Sequence, residues 1–209
     1  MLPPEERPRH PLIKRAQEFA VQQKVKELSP LLRLVQDLRP ANVLEIGTYA
    51  GGTLYCWCRL AEPDATIVSI DLPEGRFGGG YTEDRRREML TLFPTEGQHL
   101  HLLREDSHDP ATLEKLKSIL NGKRLDLLFI DGDHTYEGVK QDFEMYSPLA
   151  ADGAAIVFHD ILEHPAPTEC DVRRLWNEVK DDYRHVEFTI PQHRWGGIGV
   201  LWVDAPTGA

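Results

Sequence analysis

Apolar residues along this 209-residue chain follow two alternating patterns, one helical and one extended. Between Leu12 and Glu27, the residues Ile13, Ala16, Phe19, Ala20 and Val25 gather near one helical face. Ser29 ahead of Pro30 reads as the N-cap of a second helix, which runs to Leu38 and is ended by Arg39-Pro40. Short apolar runs then alternate with helical stretches. Strands are expected at Asn42–Ile46, Ala65–Ile70, Leu100–Leu103, Leu125–Asp131 and Gly153–Phe158. Helices are expected at Gly52–Leu60, Glu83–Leu92, Ala111–Leu120, Tyr136–Leu149 and Asp171–Asp182. The last carries Val172, Leu175, Trp176 and Val179 at i, i+3, i+4 and i+7. Two closing strands, Val186–Ile190 and Ile198–Val203, are separated by Gly196-Gly197 and fit a final hairpin. The alternation predicts an α/β fold: a doubly wound, mostly parallel seven-stranded sheet with an antiparallel edge strand. Its first and fourth strands should lie side by side. One domain is expected over 1–209, with a helical extension over 1–40 and a core over 41–203. Met1–Pro11, Pro-rich and charged, reads as a loose arm.

Composition narrows the classes. Hydrophobic content of 41% and charged content of 28% fit a globular chain. The formal net charge of −10 argues against a nucleic-acid phosphate track, and the run Arg85-Arg86-Arg87 reads as a solvated helix face. No apolar run suggests a signal peptide or a membrane span. Cys56, Cys58 and Cys170 cannot all pair and show no zinc spacing, which fits a reducing, cytoplasmic setting.

The chemistry begins at Asn42–Thr53, where an apolar strand runs into Glu45-Ile-Gly47-Thr48-Tyr49-Ala-Gly51-Gly52. Glycines let the backbone approach a ligand closely. The spacing departs from the GxGxxG turn of dinucleotide folds, and Glu45 would repel a pyrophosphate while suiting a ligand with positive charge. Here the chain resembles the class I S-adenosylmethionine-dependent methyltransferases, whose first motif is Glu/Asp-x-Gly-x-Gly. Tyr49 stands where the strict form has its second glycine. The resemblance implies S-adenosylmethionine as cofactor, with Glu45, Gly47, Thr48, Tyr49, Gly51 and Gly52 around it. Asp71, at the end of the second strand, is placed to accept hydrogen bonds from both ribose hydroxyls. Asp106 and Ser107, after the third strand, take the adenine position that the resemblance implies. Pro73–Tyr81, with Gly75, Gly78, Gly79 and Gly80, has the composition of a lid or of a flexible surface loop.

Ligands of an open parallel sheet bind outside the carboxyl ends of its strands. Those ends carry Glu45, Asp71, Asp106, Asp131, Asp133, His134, His159 and Asp160. Carboxylates brought together cost energy unless a cation offsets them. The segments Phe129-Ile-Asp-Gly-Asp-His134 and Phe158-His-Asp160 resemble the metal-dependent small-molecule O-methyltransferases of the caffeoyl-CoA, catechol, macrocin and cephalosporin-biosynthesis types. That resemblance implies Asp131, His159 and Asp160 as ligands of a divalent metal, magnesium or manganese. It implies Asp131 also at the cofactor. For His159 and Asp160 both to serve, the chain must turn out of its strand at Phe158, since neighbouring strand residues point to opposite faces. Pro165 and Pro167 keep the following stretch from continuing that strand. Asp133 could instead cap the following helix, and His159 could be a core histidine. His134 is the first choice for general base, with His164 and His193 behind it, and Asp131 is counted with His134 as catalytic. The expected reaction is methyl transfer to a hydroxyl of a small-molecule acceptor. A nicotinamide-dependent oxidoreductase and a non-catalytic cofactor-binding relative are the alternatives. The leading helices fit either a substrate cover or the dimer surface of a homo-oligomer.

Overall fold

Central strands that are apolar on both sides must be covered on both sides. In the computed structural model, which describes residues 9–75, 77, 79–166 and 168–204, helices do this. Most of the arm expected at Met1–Pro11 lies outside the described residues, as do Gly78 and Pro167. Seven strands form one sheet: β1 (Asn42–Ile46), β2 (Thr66–Ile70), β3 (His99–Leu103), β4 (Leu125–Ile130), β5 (Ala150–His159), β6 (Arg184–Phe188) and β7 (Ile198–Trp202). Their order is β3-β2-β1-β4-β5-β7-β6. The first five run parallel, and β1 sits between β2 and β4 as expected. The antiparallel part is the edge hairpin, in which β7 pairs with β5 on one side and β6 on the other.

Alternate residues of each strand enter opposite cores. Val43, Ile67, Leu127, Phe129 and Val157 meet α1 (Ile13–Glu18), α2 (Val25–Leu38) and α3 (Gly52–Leu60). Met89 and Phe93, of and just after α4 (Glu83–Leu92), join them. Leu44, Ile46, Val68, Leu128, Ile130 and Phe158 meet α5 (Pro110–Leu120), α6 (Tyr136–Tyr146) and α7 (Val172–Val179). Gly199 has no side chain because Trp176 of α7 lies over it: a Cβ there would be 2.6 Å from the indole.

Two N-terminal expectations change. The helix expected from Leu12 to Glu27 stops at Glu18. Ala20 takes a left-handed backbone (φ 51°), and the chain crosses the start of α3, where a Cβ on Gly52 would be 2.6 Å from the Val21 backbone. The next helix then begins at Val25 rather than at Ser29. Ser29 does not cap it; its hydroxyl accepts the buried His10 N–H at 2.9 Å. Pro30 is tolerated inside α2 because the carbonyl it leaves without an N–H belongs to exposed Lys26, on the solvent side. Arg86 and Arg87 pair within α4, with Glu83 and Asp84, as a solvated face would; Arg85 departs from that expectation, pairing with Glu88 but also lying over the Phe19 ring and donating from Nε to the Ala50 carbonyl at 3.0 Å.

Candidate functional site

The turn after β1 is built by close approach. Gly47 (φ 93°) donates its N–H to the Ile70 carbonyl at 2.8 Å, and a Cβ on it would lie 2.0 Å from the Asp131 carbonyl oxygen. Only glycine lets the ends of β1 and β4 touch here. Tyr49, where the strict motif has glycine, is left-handed (φ 47°) and half-exposed. The backbone therefore keeps the conformation that glycine usually supplies, and a tyrosine bears the strain.

Glu45 corrects one expectation. It is fully buried and does not reach the cavity. Its side chain points to the α3 face of the sheet, because it alternates with Leu44 and Ile46. Thr53 Oγ1 (2.6 Å) and Trp57 Nε1 (2.9 Å) donate to one of its oxygens and Ser69 Oγ (2.8 Å) to the other, with Thr48 Oγ1 2.6 Å from Ser69 Oγ. Burial outweighs these bonds and pushes its carboxyl up to about 8. Glu45 thus ties β1 to β2 and α3 and supports the turn from behind.

The turn opens into a cavity of about 800 Å³ at the carboxyl ends of the strands. Gly47, Thr48, Tyr49, Gly52, Asp71, Asp106, Ser107, Asp131, His134, His159 and Asp160 all line it; Gly51 does not, being turned toward Met89 and Phe93. Asp71 is buried, accepts the Gly80 N–H at 3.0 Å, and is raised by desolvation to about 6. The glycine-rich loop is laid over the cavity: Gly75, Phe77 and Gly79 are in its wall, and the Phe77 ring stacks on His134 at 4.8 Å. Asp106 closes its own turn by accepting the His108 N–H at 2.9 Å.

At the other end, Asp131 and Asp160 meet three imidazoles. His159 Nδ1 is 3.0 Å from Asp131 Oδ1 and 3.4 Å from Asp160 Oδ2. His134 Nε2 is 3.5 Å from Asp131 Oδ1, and its Nδ1 is 3.3 Å from Asp160 Oδ2. His164 Nε2 is 3.1 Å from Asp160 Oδ1. The turn that lets neighbours converge is not at Phe158. His159 still pairs with Ile198 of β7, and the chain turns at Asp160 itself, which is left-handed (φ 62°). Burial opposes every charge here, yet the histidines hold both carboxyls below their usual range. The carboxylates in turn raise His159 and hold His134 up to about 10. The imidazoles and carboxylates of this cluster thus favour one another's charged forms. Asp133 accepts the Thr135 N–H at 2.8 Å, but the helix cap is Thr135, whose hydroxyl accepts the Gly138 N–H.

One ligand atom from each of Asp131, His159 and Asp160 lies within 4.8 Å of the others. Two carboxylates and an imidazole at that spacing fit one divalent ion at ordinary bond lengths of about 2.0–2.6 Å. Sequence reasoning missed Gln23, which donates to Asp131 Oδ2 at 2.6 Å; the Gln22-Gln23 pair at the end of an apolar face was the available signal. It also missed Phe77, His108 and Trp195 in the cavity wall. None of these is marked by motif or spacing. His193 stands apart, in a smaller pocket beside His164.

The comparisons agree with this architecture. The O-methyltransferase TomG of Streptomyces achromogenes, solved in complex with SAM, is similar in structure with a TM-score of 0.65 at 15% identity, over 95% of this chain and 92% of that one. A Bacillus cereus O-methyltransferase in complex with SAH is similar at 0.62 and 17% identity, over 93% and 92%. At these identities the likeness establishes the fold. An uncharacterized protein of Sinorhizobium fredii is 29% identical over 175 residues, 81% of this chain but 18% of its own length. One of Acanthamoeba polyphaga mimivirus is 31% identical over 121 residues, 58% of this chain and 52% of its own. The chain thus matches about half, or less, of these relatives' length. A family model described as a methyltransferase domain matches residues 44–161, more than half of the chain and the run from the middle of β1 to the turn after β5, and the chain therefore belongs to that methyltransferase family.

Proposed function

We propose that the chain transfers a methyl group from S-adenosylmethionine to a hydroxyl of a small molecule. The supporting observation is the single cavity that joins the glycine turn and Asp71 at one end to Asp131, His159 and Asp160 at the other. The cofactor supplies an electrophilic methyl on a sulfonium. Gly47, Thr48 and Tyr49 border it at the end of β1, Asp71 accepts from its ribose hydroxyls, and Asp106 and Ser107 border its base. Asp131, at the end of β4 beside Gly47, takes the hydrogen bond of the acceptor hydroxyl and holds the oxygen toward the methyl; as the O–C bond forms and the S–C bond breaks, the hydroxyl proton passes by way of Asp131 to solvent. His134 and His159 keep Asp131 ionised for that task, and Gln23 fixes its other oxygen. Asp131, His159 and Asp160 would hold a divalent ion, which supplies positive charge beside the hydroxyl and lowers its pKa. The loop carrying Phe77 and the segment carrying Gln23 exclude water.

Calorimetry tests the cofactor half. Asp71→Ala should weaken S-adenosylmethionine by about 1–3 kcal/mol, the loss of a charged hydrogen-bond acceptor. Affinity should also fall as pH drops through about 6, where Asp71 gains a proton. Absence of binding by the unmodified chain would end the proposal. Asp160→Ala should abolish release of S-adenosylhomocysteine with hydroxylated acceptors while leaving cofactor affinity nearly unchanged.

A further inference from the structure

A second donor trio shares Asp160 with the first. His134, Asp160 and Cys170 each present one ligand atom, all within 4.8 Å of one another. Cys170 comes from the segment between β5 and α7, far from His134 in sequence. The Asp171 N–H donates to the His134 carbonyl at 2.8 Å and brings the thiol alongside the imidazole. Asp160 is 5% exposed, and its Oδ1 lies 3.1 Å from the His164 ring nitrogen. Cys170 is partly exposed, so an ion can reach it, yet it does not line the large cavity.

We propose that His134, Asp160 and Cys170 form a metal position of their own, selective for a borderline-soft divalent ion of the zinc type. Thiolate and imidazole favour zinc or cobalt over magnesium, which prefers oxygen. On binding, Cys170 releases its S–H proton and His134 the proton on its ligating ring nitrogen, both to solvent; thiolate and the Asp160 carboxylate then balance the two positive charges. Such an ion pins the Cys170 segment to the turn after β4, in the wall of the cavity. The position stands independently of the methyl-transfer reading, because it is measured without cofactor or acceptor.

The test uses chelator-stripped full chain titrated with cobalt(II), zinc(II) and magnesium(II). Cobalt should produce a near-ultraviolet thiolate-to-metal charge-transfer band. Cys170→Ser should lose the band and weaken zinc at least tenfold, whereas Asp131→Asn should keep the band. A variant-free measurement guards against misfolding: zinc, but not magnesium, should slow alkylation of Cys170 as read by mass spectrometry, with buried Cys56 and Cys58 as internal references. Cobalt binding without the band, unchanged zinc affinity in Cys170→Ser, or alkylation indifferent to zinc would each overturn the proposal.

Discussion

Replacing Glu45 with glutamine should stabilise the protein, and the gain should depend on pH. The carboxyl is fully buried and raised from 4.5 to about 8. Between those values the folded state holds a proton that the unfolded state has lost. Stability from this group is therefore complete below pH 4.5 and drains away as pH rises through about 8. At 1.36 kcal/mol per pH unit, the folded state has lost ~3 kcal/mol by pH 7 and ~5 kcal/mol by pH 8. Glutamine does not titrate. Its carbonyl can accept from Thr53 and Trp57, and its amide can donate to Ser69, whose hydroxyl then turns to Thr48. Glu45→Gln should match the parent near pH 4.5 and exceed it by ~3 kcal/mol at pH 7. Glu45→Ala should instead lose about 3 kcal/mol or more, since the Trp57 N–H cannot rotate to another acceptor. Urea unfolding followed by tryptophan fluorescence from pH 5 to 8 measures both. Other titrating groups such as Asp71 contribute equally to parent and variant, so the difference isolates Glu45. If Glu45→Gln shows the parent's pH slope, or is less stable at pH 7, then Glu45 is ionised in the fold and the reasoning fails.

Two further outcomes concern the turn. Tyr49→Gly removes a side chain from a left-handed position and should stabilise the fold by about 1 kcal/mol, read as a raised thermal midpoint, while weakening S-adenosylmethionine through loss of a cavity wall. Gly47→Ala forces a Cβ to 2.0 Å from the Asp131 carbonyl and should cost more than about 3 kcal/mol; a midpoint within a few degrees of the parent would contradict the close packing of β1 and β4.

The strand–helix alternation was legible because burial on both faces leaves a continuous apolar signature, and β1, β4 and the glycine turn could be placed from it. The pile-up of acids at strand ends was legible for a related reason: a parallel sheet brings all its carboxyl ends to one edge, wherever they fall in sequence. Direction within that edge was not. Glu45 lies at the same edge as Asp71, but strand alternation turns it into the α3 core, and only the packed Thr53, Trp57 and Ser69 reveal that. Charge balance was equally hidden. The left-handed turn at Asp160 brings His134, His159 and His164 against the carboxylates, and no local spacing shows that meeting. Cys170 and Gln23 join the site through contacts that span 36 and 108 positions of sequence, beyond the reach of any local spacing. Periodicity reports what a segment buries, so it determined the succession of strands and helices, though not the break at Ala20 that parts α1 from α2. Which polar groups meet depends on the sum of many backbone turns, and that was decided only when the chain closed on itself.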